Sequence, residues 1–90
     1  MENVATAKIL LVQNVQTKSN STRTYLESLG FDIILAGSGM TAQIAAKNAD
    51  IDLILLDVAL PDTEGLDLCR SFRKMDASRD IPIILLVGRG

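Results

Sequence analysis

The stretch LILLDVALPDTEG, residues 53–65, decides how this chain folds. Four apolar residues in a row, Leu53 to Leu56, suit a strand buried on both faces rather than one with a wet side. The run ends in Asp57, and Leu60-Pro61-Asp62 with Gly65 behind it supplies turn chemistry. A carboxylate at the carboxyl end of a buried strand is placed for chemistry, because it can bind a metal or attack phosphorus. An ordinary turn would explain Asp57 alone.

The same apolar signature recurs along the chain. Strands are expected at Ile9–Val12, Phe31–Leu35, Ile51–Leu56 and Ile83–Val87. Helical stretches fall between them. Thr17–Leu29 reads as a helix closed by Gly30, with a thin apolar side of Tyr25, Leu26 and Leu29. Ala42, Ala45, Ala46 and Ala49 mark one face of a second helix, with Ile44 beside it. Leu66, Cys69, Phe72 and Met75 give the stripe of a third, and DASRD leads into the last strand. Strands alternating with helices at this spacing predict parallel pairing through right-handed crossovers, with helices on both faces. Chemistry then gathers at the carboxyl ends of the strands, which hold Gln13, Asn14, Asp57 and Val87.

Composition narrows the function. The chain has 90 residues, 48% of them hydrophobic, and a net charge of −2 from nine basic and eleven acidic side chains. That size suits one domain spanning residues 1–90, with 1–7 expected to be flexible. There is no basic stripe for nucleic acid, so Arg70, Arg73 and Lys74 read as a solvated face. No apolar run reaches membrane-spanning length, and residues 1–7 lack the regions of a secretory signal. The single Cys69 excludes an internal disulfide and fits packing in a reducing cytoplasm.

Taken together, KILLVQN, ESLGFDIILAGSG, DLILLDVALPDTEGLDLCRSFRK and SRDIPIILLVG resemble a response-regulator receiver domain of two-component signalling, over about Lys8 to Gly88. The resemblance implies a flavodoxin-like, doubly wound parallel sheet in order 2-1-3-4, with the family's fifth strand absent from this chain. It implies that Asp57 is the phosphoacceptor, with a histidine kinase as partner and Mg²⁺ as cofactor. Three positions depart from the pattern. Gln13 and Asn14 replace the acid pair that holds the metal, and Val87 replaces the switch Thr or Ser. The Lys after strand five has no counterpart.

Phosphoryl transfer depends on Mg²⁺ and cations to absorb charge on the equatorial oxygens. Two neutral amides in place of two acids leave Asp57 as the single carboxylate of the three. The expectation is therefore a degenerate, non-enzymatic receiver with no bound metal, acting through protein contacts with a kinase or another signalling protein. The alternative is a working receiver phosphorylated at Asp57 with Mg²⁺ beside it. A third reading comes from GSGMTA, where Gly37 and Gly39 match a dinucleotide fingerprint between strand and helix. Its position after the second strand rather than the first weighs against it. A sheet ending at strand four would also carry an open apolar edge, which predicts a homodimer by edge pairing or segment exchange through that strand, or else a need for missing residues to fold.

Overall fold

In the computed structural model, residues 6–14 and 21–86 are described. The expectations for residues 1–5, for the first turn of the first helix and for Val87 lie outside them. The elements in order are β1 (Lys8–Val12), α1 (Ser21–Ser28), β2 (Asp32–Ala36), α2 (Gly39–Asn48), β3 (Leu53–Asp57), α3 (Gly65–Lys74) and β4 (Ile83–Leu86). All strands pair in parallel, in the order β2-β1-β3-β4. This is the flavodoxin-like receiver arrangement that the resemblance implied.

The continuous apolar runs are explained by two cores. Leu10, Val12, Ile54 and Leu56 point to one face, where Ala42 and Ala46 of α2 and Leu68 and Phe72 of α3 cover them. Ile9, Leu11, Ile33 and Leu55 point to the other. Ala42 and Ala46 are almost wholly buried; their small side chains let α2 lie close on the sheet. On α1 the apolar side is thinner still than expected. Only Leu26 packs on the second core, while Tyr25 and Leu29 are exposed. Gly30, at φ 98°, closes α1: its N–H donates to Glu27 O, and the Phe31 N–H reaches Leu26 O. That pair of bonds is the Schellman pattern.

One expectation for α3 needs correction, and another needs an addition. Leu66 is 55% exposed, and Leu68 takes its place in the core. Residues 68 and 72 are one helical turn apart, whereas Leu66 falls well round the helix from that line. Arg70, Arg73 and Lys74 lie on an exposed face as expected, but the Arg73 guanidinium is also engaged. Its Nη1 donates to Ser78 O (3.2 Å), Arg79 O (2.8 Å) and Ile81 O (2.8 Å). The fully buried Ser78 in turn donates its hydroxyl to Phe72 O at 2.7 Å. Together they fold the α3–β4 connection back on the helix end.

Arg73→Ala should therefore lower stability by about 1–3 kcal/mol in urea denaturation, since three carbonyls lose a charged donor. Arg70→Ala is the control. Arg70 pairs with Asp67 in an exposed bridge, and its loss should cost no more than about 0.5 kcal/mol. Equal effects would remove the distinction.

No helix among the described residues is long and apolar enough to cross a membrane.

Candidate functional site

Asp57 is the last residue of β3 and is only 3% exposed. Gln13 follows β1 directly, is 5% exposed, and extends the ladder by donating its N–H to Ala36 O at 3.0 Å. Asn14 comes next, half-buried, and its backbone N–H donates to Asp57 Oδ2 at 3.3 Å. The parallel order thus brings together three of the residues singled out in the sequence: Gln13, Asn14 and Asp57.

The loop after Asp57 is tightly built. Ala59 and Glu64 form an isolated bridge, Leu60 N–H donates to Thr63 O, and Gly65 N–H donates to Val58 O at 2.7 Å. A Cβ on Gly65 would stand 2.6 Å from Asp57 O and 2.8 Å from Val58 Cα. Glycine is needed there because α3 begins against the backbone of Asp57 itself.

As a metal site the crevice is poorly equipped. Mg²⁺ is held through hard, charged oxygens in a near-octahedral shell. The three residues offer one carboxylate and two neutral amides. Among the described residues, no three His, Cys, Asp or Glu side chains gather where they could share an ion.

The loop carrying Gly37 and Gly39 has a different occupant from the one its fingerprint suggested. Ser38 caps α2 in a capping box with Thr41. Asp62, from the loop after β3, turns its carboxylate onto the helix terminus. Its Oδ1 accepts from Gly39 N–H at 2.8 Å and its Oδ2 from Met40 N–H at 3.1 Å. The amides that would grip a pyrophosphate already hold an internal anion, which takes away the anchor of the dinucleotide reading. In the sequence Asp62 reads only as a turn residue. Its sole clue is that the first turn of α2 has no acid of its own, so its dipole is answered from elsewhere.

The Gly39 N–H, and then the Met40 N–H, hold the Asp62 carboxyl below its ordinary value of 3.8. A lowered folded-state pKa stabilises the fold above the unfolded value, and that contribution fades as pH falls through the folded one. An NMR titration should show the Gly39 and Met40 amide protons moving together with a midpoint below 3.8. A midpoint at or above that value would contradict the contact.

Comparison with known proteins agrees with this geometry. Residues 9–90 match the family model described as response regulator receiver domain. The transcriptional regulatory protein ResD of Bacillus subtilis is 36% identical over 90 residues, which is all of this chain and 36% of that protein. CusR of Escherichia coli K12 is 35% identical over 92% of this chain and 36% of its own length. The chain thus spans about a third of these curated relatives.

Among solved structures, the receiver domain of the Pseudomonas aeruginosa sensor histidine kinase PA1611 superposes with a TM-score of 0.82 at 32% identity. The match covers 90% of this chain and 66% of that one, and that structure has a magnesium ion coordinated in its active-site cleft. A CheY-like receiver from Methanospirillum hungatei gives 0.84 at 26% identity, covering 96% and 67%. A parallel sheet in order 2-1-3-4, an aspartate ending its third strand and a family match along nearly the whole length lead to one conclusion: this chain belongs to the response regulator receiver domain family.

Proposed function

We propose that this receiver is a degenerate one, a cytoplasmic signalling module that works by protein–protein contact and accepts phosphate at Asp57 poorly or not at all. The observation that carries the proposal is the make-up of the crevice, where Asp57 is flanked by Gln13 and by the Asn14 N–H rather than by a carboxylate pair. Without a bound metal, several kcal/mol of transition-state stabilisation is missing, a loss of roughly thousands-fold in rate. Val87, at the position where the family has a hydroxyl, would remove the contact that normally reads the phosphoryl group. The partner is then a histidine kinase or another signalling protein that recognises the surface of the fold.

The test is exposure to a small phosphodonor with and without Mg²⁺, with intact mass read at once because acyl phosphates hydrolyse. No phosphoryl adduct is expected, and titration calorimetry with millimolar Mg²⁺ should give no binding heat. A second reading is favoured by Asp57 itself, which keeps its place at the end of β3: a receiver that is phosphorylated there with Mg²⁺ alongside. Rapid, Mg²⁺-dependent formation of an adduct that Asp57→Asn abolishes would establish that reading instead.

A further inference from the structure

We infer that Asp62 is a strut coupling the Asp57 crevice to α2, so that the loop after β3 and the start of α2 move as one body. The inference concerns the loop and holds whether or not Asp57 takes a phosphoryl group. Both carboxylate oxygens of Asp62 are engaged, one on Gly39 N–H and one on Met40 N–H, across 23 and 22 residues of sequence. A two-point attachment fixes orientation as well as distance, which a single bond cannot do. The two segments also touch directly. A Cβ on Gly39 would come within 2.6 Å of Thr63 Cγ2 and 3.4 Å of Asp62 Oδ1.

At its other end the same loop is locked to the end of β3 at Asp57. Gly65 N–H donates to Val58 O, and Gly65 Cα is so close to Asp57 that no side chain fits between them. Between these two anchors the Ala59–Glu64 bridge and the Leu60 N–H to Thr63 O bond leave the loop little slack. A displacement at Asp57 therefore has a short covalent and hydrogen-bonded route to the terminus of α2. The strut also borders a cleft of about 290 Å³ between α2 and α3, lined by Met40, Gln43, Thr63 and Ser71 among others. Met40 is 69% exposed there, so a shift of α2 would alter a surface open to a partner. Asp62 is thus a positioning residue, acting on Asp57 through the loop.

Residue-resolved amide hydrogen exchange on the whole 90-residue chain tests this, with two variants that attack the strut from opposite sides. Asp62→Asn removes the charge; Gly39→Ala pushes Thr63 and Asp62 away from the helix. In both, the Met40 amide should exchange faster by roughly three- to tenfold, and in Asp62→Asn the Gly39 amide as well. The decisive amides are Leu60, Gly65 and Asn14, the last bonded to Asp57 itself. They should accelerate as well, while Ile54, whose N–H donates to Pro82 O within the sheet, keeps its parent rate. If only Gly39 and Met40 respond, Asp62 is a helix cap and the coupling is refuted. If Ile54 accelerates equally, the effect is general destabilisation and the inference fails too.

Discussion

A Gln13→Asp, Asn14→Asp double variant is expected to bind Mg²⁺, with the parent chain expected not to, and to be less stable than the parent when metal-free. Both effects have one cause. Asp57 is 3% exposed and Gln13 5%, so the new carboxylates would stand beside an existing one with little water to screen them. Crowded carboxylates raise one another's pKa, and every tenfold rise in proton affinity on folding is about 1.4 kcal/mol lost at neutral pH. A destabilisation of about 1–4 kcal/mol follows. Mg²⁺ relieves the repulsion by binding only the folded form, and at a hundredfold excess over its dissociation constant it restores about 2.7 kcal/mol. Thermal melts with and without Mg²⁺, beside calorimetry, would read both halves. The parent should melt at the same temperature in either condition. A folded double variant that is equally indifferent to Mg²⁺ would show that residues 13 and 14 do not face Asp57 as a receiver's acid pair does.

Strand and helix identity can be read from the sequence because burial on both faces leaves long apolar runs that nothing else explains. Boundaries are less readable. Ile51 is buried and looks like strand, yet β3 begins at Leu53, because Asp52 turns back to β1, taking the Lys8 N–H on its carboxylate and giving its own N–H to Lys8 O. Such contacts join residues 44 apart and leave no local pattern. Phe31 reads as the start of β2, but its N–H closes the end of α1.

The site divides in the same way. Asp57, Gln13 and Asn14 are visible because strand ends are where such sheets do chemistry. Asp62 and Arg73 are not, since a turn aspartate and a surface arginine look alike whether they point to water or to backbone groups far along the chain. What separates them is the local supply of partners: α2 lacks an acid in its first turn, and the α3–β4 connection offers the carbonyls of Ser78, Arg79 and Ile81.

The second large expected effect is association of the 90-residue chain through β4. In the sheet of described residues β4 is an edge, built from Ile83, Ile84, Leu85 and Leu86. Ile84 lies in register with the buried Leu55 yet is 50% exposed. Natural edges are blunted by lysines, bulges or a covering element. β4 contains no charge at all, and Pro82 precedes it rather than interrupting it.

For the 90-residue chain taken by itself, a second copy can cover that edge with closed symmetry. A twofold axis normal to the sheet would pair β4 with its own mate antiparallel, and place the two Ile84 side chains on the same face. Light scattering across a concentration series should show a monomer giving way to a dimer in the micromolar range. Ile84→Lys should shift that equilibrium strongly toward monomer, because a charge would then sit in the middle of the new pairing. Lysine at an already half-exposed position costs the monomer little, so the variant separates association from folding. A parent chain that stays monomeric at high micromolar concentration would show that the β4 edge needs no partner.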